Sequence, residues 1–265
     1  MNKPFFSIIV AAFNAQETIK RTVESVLFQD FADYEIIVKD GASKDDTLKQ
    51  IPMSDKIHVY SNSDGGIYQG MNEGIEYANG RYLCFLNCGD EFYDESVLRK
   101  MYEVANELSD DRNILYGNYI RKGVEFKQPS YISSFYLYRT PLCHQSMFFG
   151  KTLMDEIGGY DTNYKILADY NCTLRAFKAG VPFVYCDYAV CAYLGGGASE
   201  TVKGIKIKNE EYKRIRSTYY KTSEIVKNDI KIFLTFKKLR QILISDKSPE
   251  WIRRLYRKIV NKTNH

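Results

Sequence analysis

The 265-residue sequence lacks long hydrophobic runs and the paired cysteines of common metal sites. No apolar stretch approaches the roughly 18 residues of a membrane span, so no transmembrane helix is predicted. The chain begins MNKP and passes directly into a strand-like run, so we expect no signal peptide. The absence of a CxxC pair favours reduced thiols in a cytoplasmic protein over a zinc site or a disulfide framework. The cysteines are Cys84, Cys88, Cys143, Cys172, Cys186 and Cys191.

Two common nucleotide-binding motifs are also missing. No Gly-x-Gly-x-x-Gly follows the first predicted strand, so a dinucleotide-binding site is unsupported. No Gly-x-x-x-x-Gly-Lys-Ser/Thr occurs, so a phosphate-binding P-loop is absent too. Any nucleotide site in this chain must therefore use other groups.

Charge is divided unevenly along a chain of otherwise ordinary globular composition, 45% hydrophobic and 26% charged. Residues 201–265 carry 18 Lys and Arg against 6 Asp and Glu, a balance of +12. Since the net charge of the whole chain is +4, the first 200 residues sum to −8. An acidic body with a basic tail indicates two separate roles.

Strand-like and helix-like segments alternate over the first half of the chain. Their order predicts an α/β fold with a mostly parallel central sheet flanked by helices. Strands are predicted at 5–12, 34–38, 57–60 and 82–86. Helices are predicted at 15–29 and at 67–79, the second ending at Gly80, and a short helix is predicted to begin at Leu48. Farther along the chain we expect helices at 95–108, 151–157 and 168–178. We expect strands at 114–117, 181–186 and 190–194, and one more strand that ends at residue 149.

Residues 81–94, RYLCFLNCGDEFYD, combine a buried strand with an abrupt polar end. The polar end, Asn87-Cys88-Gly89-Asp90, is either a simple turn or a functional site beyond the carboxyl end of the strand. Acidic residues follow two neighbouring strands as well, at Asp40 and Asp64. Carboxylates gathered at one sheet edge can accept hydrogen bonds from a base or a ribose, or bind a divalent cation.

Four segments resemble motifs of family 2 glycosyltransferases. Three are SIIVAAFN from Ser7, KDGASKDDT from Lys39 and GRYLCFLNCGD from Gly80. The fourth, DGGIYQGMNEGI from Asp64, is similar to the branch that builds bacterial capsule, exopolysaccharide and O-antigen repeat units, including colanic-acid-type transferases. The resemblance covers roughly residues 4–199. It implies the Rossmann-like GT-A fold and transfer of a sugar from a nucleotide-diphosphate donor with inversion.

The resemblance also implies a nucleotide site. Asp40 would accept a hydrogen bond from the base, most often uracil, while Asp64 and Asn72 would lie beside the ribose or the diphosphate. For Asn72 the alternative is a solvated position on a helix surface. The implied nucleotide-binding residues are Ala12, Phe13, Asn14, Asp40, Asp64, Asn72, Asn87 and Gly89.

Asp90 occupies the region of the family's DxD motif, whose carboxylates bind Mg²⁺ or Mn²⁺ against the diphosphate. A bound cation stabilises the negative charge that develops on the leaving group. This chain departs from the motif, because residues 87–90 offer one carboxylate where the family usually has two. Metal binding is therefore predicted, with the phosphates of the donor supplying part of the coordination.

An inverting transferase also needs a base for the acceptor hydroxyl. The resemblance implies Asp169, at the start of a helix, although Ala168 replaces the usual Glu of the family. The alternative is a carboxylate that only stabilises the helix macrodipole. His144, in a His-Gln pair similar to that of related transferases, is a candidate for contact with the acceptor or a metal.

The basic tail interleaves cations with apolar residues, most densely at 231–240 and 251–260. Such helices suit an anionic membrane surface, in agreement with the lipid-linked saccharide acceptors of the family. The alternatives are packing on the body or on a second subunit, and nucleic-acid binding, for which no recognition motif exists. Residues 195–199, GGGAS, are either a loop that closes over the diphosphate or a linker.

Together these patterns predict a catalytic domain at 1–199 and a basic helical extension at 200–265. We expect an inverting transferase of hexosyl or N-acetylhexosaminyl type. It would move a sugar from a donor such as a UDP-sugar to a lipid-linked or saccharide acceptor, at the cytoplasmic face of a membrane. The alternatives are a nucleotidyltransferase, which would normally show a glycine-rich basic loop after its first strand, and a silent sugar-nucleotide-binding module. Donor, acceptor and oligomeric state are not determined by the sequence.

Overall fold

The computed structural model describes residues 3–195, 201–235 and 250–251. The chain divides into two compact units. The first comprises Met1–Ile132 and Pro141–Glu211, and the second comprises Ser133–Thr140 and Tyr212–His265. Residues 196–199 of the segment 195–199, expected to be either a loop over the diphosphate or a linker, lie outside the described residues. Residues 236–240 and 252–260 of the two densest basic runs lie outside them too. The domain boundary predicted near residue 199 stays a prediction.

Nine strands are present in the described part of the chain. They are β1 (Phe6–Ala12), β2 (Tyr34–Asp40), β3 (Ile57–Ser61), β4 (Tyr82–Asn87), β5 (Glu91–Phe92), β6 (Ile114–Arg121), β7 (Val124–Phe126), β8 (Met147–Gly150) and β9 (Phe183–Tyr193).

Eight α-helices and two short 3-10 helices connect or follow these strands within the same residues. The α-helices are α1 (Ile19–Leu27), α2 (Ile67–Tyr77), α3 (Val97–Asn106), α4 (Ser134–Arg139), α5 (Lys151–Ile157), α6 (Ala168–Lys178), α7 (Val202–Tyr219) and α8 (Thr222–Thr235). The 3-10 helices are Thr47–Gln50 and His144–Ser146. No helix in the described ranges is both long and apolar enough to cross a bilayer.

The strands form one mixed sheet, in the order β3-β2-β1-β4-β8-β6-β9-β5, with β7 paired to β6. β3, β2, β1 and β4 are mutually parallel, and β6 is parallel to β9. β8 runs antiparallel to both β4 and β6. The predicted α/β class with a mostly parallel sheet flanked by helices is therefore confirmed.

Strand register brings the polar strand ends to one edge. Ala12 pairs with Asp40, Asp40 with Ser61, and Ala11 with Asn87. Because β8 is antiparallel to β4, its beginning lies where β4 ends. The 3-10 helix that precedes β8, and with it His144, is thereby delivered to the same edge.

The central strands are buried on both faces, as continuous apolar runs predict. All seven residues of β2 are buried, including Lys39 and Asp40. On one face of the sheet, strand residues such as Ile8 and Val10 form a continuous core with Val23 of α1. This rigid support fixes the loops at the carboxyl edge.

Several predicted elements differ from the structure. The helix predicted from Leu48 is the 3-10 helix Thr47–Gln50, the helix predicted at 95–108 spans Val97–Asn106, and the strand predicted at 114–117 continues to Arg121. α1 begins at Ile19, because the segment before it forms a turn in which the N–H of Thr18 donates to the carbonyl of Ala15. α2 ends at Tyr77, so Gly80 is not its stop; a Cβ at Gly80 would lie 2.5 Å from the backbone nitrogen of Ser7, which explains the glycine. The segments predicted at 181–186 and 190–194 form one strand, β9.

In the second unit, hydrogen bonds join α4 to α8 and to Tyr220, the residue that follows α7. Ser133 caps α4 by accepting from the N–H of Tyr136. The hydroxyl of Tyr138 donates to Oδ1 of Asp229 over 2.6 Å. The hydroxyl of Tyr220 donates to the carbonyl of Ser134 over 3.0 Å. These contacts between distant residues stabilise the unit.

Candidate active site

The loops after β1 and β2 are clasped together at the carboxyl edge. The N–H of Asn14 donates to Oγ of Ser43 over 2.8 Å, and Oδ1 of Asn14 accepts from the N–H of Lys44 over 2.9 Å. Asn14 and Ala42 both adopt positive φ, +48° and +62°, which is uncommon outside glycine and is typical of functional loops. Beside this clasp the ring of Phe13 is 63% exposed, free to contact a ligand.

Asp40 is fully buried at the end of β2 and holds this loop. Its Oδ2 accepts from the N–H of Ser43 over 3.0 Å and from the hydroxyl of Ser61 over 2.6 Å. Its Oδ1 accepts from the hydroxyl of Ser43. The carboxylate therefore fixes the backbone of the predicted base pocket and keeps one acceptor position on Oδ1.

Asp64 lies beside this loop in an ionic cluster around Lys39. The buried Nζ of Lys39 lies 3.3 Å from Oδ2 of Asp64 and 3.3 Å from Oε2 of Glu73. It also donates to the carbonyls of Asp40 and Asn62 over 3.1 and 3.0 Å. Lys39 was not among the predicted site residues, although a lysine inside an apolar strand signals a buried cation that needs partners.

Two glycines make room for the Asp64 carboxylate. A Cβ at Gly70 would lie 2.8 Å from its Oδ2, and a Cβ at Gly41 would lie 3.1 Å from the same atom. Gly41 belongs to the loop after β2 and Gly70 to α2. Asp64 therefore packs against the loop that the buried Asp40 holds, at the edge where both strands end.

The side chain of Asn72 forms hydrogen bonds with the backbone of Tyr160. Its Nδ2 donates to the carbonyl of Tyr160 over 2.8 Å, and its Oδ1 accepts from the N–H of Tyr160 over 2.8 Å. This reciprocal pair fastens α2 to the segment before α6. Its predicted contact with the donor stays a prediction.

The turn after β4 buries Asp90. Its side chain is 4% exposed, its Oδ2 accepts from Nε2 of Gln145 over 2.8 Å, and its Oδ1 accepts from the N–H of Leu194 over 2.9 Å. Burial raises the pKa of Asp90 and outweighs these hydrogen bonds. The adjacent Gly89 adopts φ +104°, and its N–H donates to the hydroxyl of Thr22 over 2.8 Å.

The donor set of this turn fits a divalent cation only in part. Each oxygen of Asp90 keeps one further acceptor position, and Oδ1 of Asn87 is buried without a hydrogen-bond partner. Glu91 is engaged with Arg21, whose Nε lies 2.5 Å from its Oε1. Among the described residues no cluster of three or more His, Cys, Asp or Glu suited to a metal exists. A cation here would depend on oxygen ligands from the donor.

His144 connects the turn after β4 to Asp169. Its Nδ1 lies 3.0 Å from Oδ2 of Asp169, and its Nε2 lies 3.2 Å from Nδ2 of Asn87. Burial lowers the pKa of His144, but the hydrogen bond and charge of Asp169 together raise it by more, so the net shift is upward. Sequence reasoning singled out all three residues, and the fold joins them.

Asp169 lies in the first turn of α6 and is 17% exposed. Its Oδ1 accepts from the N–H of Tyr170 over 2.8 Å and lies 3.1 Å from the hydroxyl of Tyr68. Burial raises the pKa of Asp169, but His144 and the other hydrogen bonds together hold it below its ordinary value. Both acceptor positions of Oδ1 are filled, whereas Oδ2 keeps one position beside His144. A group arriving there would meet an ionised carboxylate.

Much of the chain is similar to a known protein family. Residues 7–164 match the glycosyl transferase family 2 domain. A PGL/p-HBAD biosynthesis glycosyltransferase of Mycobacterium bovis is 28% identical over 210 residues, which are 76% of this chain and 82% of that protein.

Two solved structures share the fold. Staphylococcus aureus TarS residues 1–349 in complex with UDP-GlcNAc superposes with a TM-score of 0.62 at 18% identity, over 76% of this chain and 64% of that one. The mannosyltransferase PcManGT of Pyrobaculum calidifontis, in complex with GDP-Man and Mn²⁺, superposes with a TM-score of 0.56 at 16% identity, over 72% of this chain and 57% of that one. This chain thus spans less than two thirds of either structure. With a family match over more than half of its length, the chain belongs to glycosyl transferase family 2 and has the GT-A fold.

Proposed function

We propose that the protein transfers a hexosyl or N-acetylhexosaminyl group from a UDP-sugar to a saccharide or lipid-linked acceptor in the synthesis of a surface polysaccharide, with inversion. The observation that carries the proposal is the Asp169–His144–Asn87 connection, with heavy-atom separations of 3.0 and 3.2 Å. It joins an ionised carboxylate to the strand end at which family members bind the donor diphosphate.

Asp169 is the proposed base. The acceptor hydroxyl would donate to the remaining position on Oδ2, while Tyr68 and the N–H of Tyr170 hold Oδ1. As the acceptor oxygen attacks the anomeric carbon, its proton passes to Oδ2. The bond from that carbon to the diphosphate oxygen breaks on the opposite face, and its electron pair leaves with the nucleoside diphosphate. One displacement of this kind inverts the anomeric centre.

The donor nucleotide is assigned to the edge formed by Asp40, Asp64 and the clasped loops. The exposed ring of Phe13 can stack on a base, and the backbone of the loop after β2 can hydrogen-bond its edge. TarS was solved with UDP-GlcNAc and PcManGT with GDP-Man, which supports a nucleotide-diphosphate sugar as the donor class. Family membership favours glycosyl transfer over the nucleotidyltransferase alternative.

We assign Mg²⁺ or Mn²⁺ to Asp90. PcManGT was solved with Mn²⁺, which supports this cofactor class. The cation, when bound with the donor, would neutralise charge on the leaving diphosphate. Asp90 would contribute a carboxylate oxygen, while Gln145 and the N–H of Leu194 hold its orientation. Titration of UDP in the presence and absence of Mn²⁺ tests this: affinity should rise with Mn²⁺ in the wild type and not in Asp90→Asn.

Contact with a membrane surface is proposed for α8. Val226, Ile230 and Phe233, spaced along one helical stripe, are 53%, 53% and 60% exposed. Lys227 and Lys231 lie on the same helix. An apolar stripe accompanied by cations suits the headgroup region of an anionic leaflet.

The catalytic proposal is tested by Asp169→Asn. After a screen of nucleotide sugars identifies the UDP-sugar that is hydrolysed, the variant should lose turnover at least about 100-fold while UDP affinity measured by calorimetry stays unchanged. Asp155→Asn is the matched control, since Asp155 pairs only with Lys151 on the exposed surface of α5. Turnover at the wild-type rate in Asp169→Asn would contradict the proposal. Binding of nucleotides without hydrolysis of any donor would favour the silent binding module.

The membrane proposal is tested in the full chain. Replacing Val226, Ile230 and Phe233 by Ser should abolish sedimentation with anionic phosphatidylserine vesicles. Replacing Val124 and Phe126, which are 58% and 43% exposed on the β6–β7 hairpin, is the control and should have no effect. Equal sedimentation of both variants would refute the assignment to α8.

A further inference from the structure

A carboxylate from α7 is buried against the segment that leads into α6. Glu211 is 6% exposed. Its Oε1 accepts from the N–H of Lys165 over 2.6 Å, and its Oε2 accepts from the N–H groups of Ile166 and Leu167 over 3.0 and 2.9 Å. Three consecutive backbone donors thus converge on one side chain 44 to 46 residues away.

This carboxylate anchors the backbone that enters α6. Leu167 is the N-cap residue of α6 and provides no capping side chain. The N–H groups at a helix N-terminus are without intrahelical partners and lie at the positive end of the macrodipole. Glu211 accepts from the N–H of the N-cap residue Leu167 and of the two residues before it, and its negative charge lies at the helix end that favours an anion. The orientation of α6 at its first turn therefore depends on a residue of α7.

The same segment reaches Asp169 through Tyr68. Ile166 donates its N–H to Glu211 and accepts at its carbonyl from the hydroxyl of Tyr68 over 2.8 Å. That hydroxyl is also 3.1 Å from Oδ1 of Asp169. Burial raises the pKa of Tyr68 well above its ordinary value, so the hydroxyl stays protonated. The Tyr68 hydroxyl has one proton and two acceptors, the Ile166 carbonyl and Oδ1 of Asp169. The position of the Ile166 carbonyl therefore determines how the hydroxyl is directed toward Asp169.

We propose that Glu211 is a positioning residue for Asp169, acting through the Ile166 backbone and the Tyr68 hydroxyl. The proposal rests on the proposed function, because it takes Asp169 as the base. It places a determinant of the reaction within the segment 200–265 that the sequence assigned to a basic extension. Misplacement of a reacting group by even about 1 Å is enough to slow a reaction about 100-fold.

The test compares Glu211→Ala and Glu211→Gln with Glu210→Ala in the full chain. Glu210 is the exposed neighbour of Glu211 and serves as the matched control. Turnover is measured as hydrolysis of the UDP-sugar found in the screen and is divided by the number of UDP-binding sites found by calorimetry. Dividing by the number of binding sites corrects for unfolded protein. A variant that is only less stable therefore keeps the wild-type turnover per site.

We expect kcat per UDP-binding site to fall at least about 10-fold in Glu211→Ala with the donor KM unchanged. Glu211→Gln keeps one acceptor oxygen and should recover part of this loss, and Glu210→Ala should match the wild type. Tyr68→Phe should also lower kcat. Combining it with Glu211→Ala should add little, because both changes disturb one connection.

Equal kcat per site in Glu211→Ala and Glu210→Ala, or full additivity of the Tyr68 and Glu211 losses, would overturn the inference. If Glu211→Ala does not fold, Glu211→Gln and the Tyr68→Phe/Glu211→Gln double variant decide in the same way. Asp169→Asn separates this result from the proposed function. If Asp169→Asn is inactive while Glu211→Ala is normal, only the positioning role fails; if Asp169→Asn is active, the assigned base fails.

Discussion

Nδ1 of His144 lies 3.0 Å from Oδ2 of Asp169, with the two side chains 14% and 17% exposed. The pKa of His144 is raised above 6.5 and that of Asp169 is lowered below 3.8. The histidine therefore contributes stability that is complete below pH 6.5 and is lost as pH rises through its folded pKa. The aspartate contributes stability that is present above pH 3.8 and is lost as pH falls through its folded pKa.

His144→Gln should accordingly destabilise the protein in a pH-dependent way. We expect the free energy of unfolding to drop by about 2 kcal/mol near pH 5.5, where both partners are charged, and by less near pH 8.5. Urea denaturation at the two pH values measures the difference. His58→Gln is the control, because His58 is 46% exposed and lies 3.9 Å from Glu35. A loss that is equal at both pH values would rule out the ion pair as its source.

Lys39→Met should impair both folding and donor binding. Methionine fills the buried volume but leaves Asp64 and Glu73 without their cation, and breaking a buried pair costs about 3 kcal/mol. We expect the UDP dissociation constant to rise about 10-fold, since Asp64 is then released. Denaturation and calorimetry measure the two effects. Lys20→Met, at a 60% exposed side chain, should change neither, and unchanged UDP affinity in Lys39→Met would separate Asp64 from the nucleotide site.

Gly70→Ala and Gly74→Ala should have opposite consequences within α2. A Cβ at Gly70 would meet Oδ2 of Asp64 at 2.8 Å, whereas one at Gly74 would meet Cγ2 of Ile9 in the core at 2.6 Å. Alanine gains about 1 kcal/mol of helix propensity in either place. Gly70→Ala should therefore keep its melting temperature and lose UDP affinity, while Gly74→Ala should lose about 1 to 3 kcal/mol by overpacking and keep UDP affinity. Loss of UDP affinity in both variants alike would contradict this distinction.

Asn72→Ala should lose about 2 kcal/mol of stability, because the N–H and C=O of Tyr160 lose their partners. Thermal denaturation measures this loss, and calorimetry with UDP tests the contact with the donor that the sequence predicts. Asn79→Ala is a suitable control, since the side chain of Asn79 donates only within its own turn, to the carbonyl of Tyr77. A stability loss no larger than that of Asn79→Ala would argue against the fastening role.

Much of the fold could be predicted because its central strands are apolar runs with polar ends. The runs at β1, β2 and β4 contain enough consecutive apolar residues to be recognised as strands buried on both faces. The intervening helices then favour parallel pairing. The position of β8, antiparallel between β4 and β6, could not be predicted in this way, because a four-residue strand has no periodicity that specifies its neighbours.

The candidate site likewise contains residues that could be predicted from the sequence and residues that could not. Asp40, Asp64 and Asp90 were identifiable because each is the polar residue of a loop that follows a strand. Their partners were not, since Gln145 and Tyr68 look like ordinary residues until the chain is folded. Lys39 signals a buried cation by its place in an apolar strand, but the sequence does not show which carboxylates pair with it. Glu211 gave no signal at all, because the three N–H groups that donate to it lie more than 40 residues away in the chain.

The sequence by itself determined the fold class, the family and the edge of the sheet that carries the candidate site, because these depend on local patterns of apolar and polar residues. Only the tertiary structure decided which acidic groups are ionically paired and which helix supports the segment that leads to Asp169. Hydrogen bonds and ion pairs depend on distances of about 3 Å between residues far apart in the chain, and such distances leave no periodic trace in the sequence.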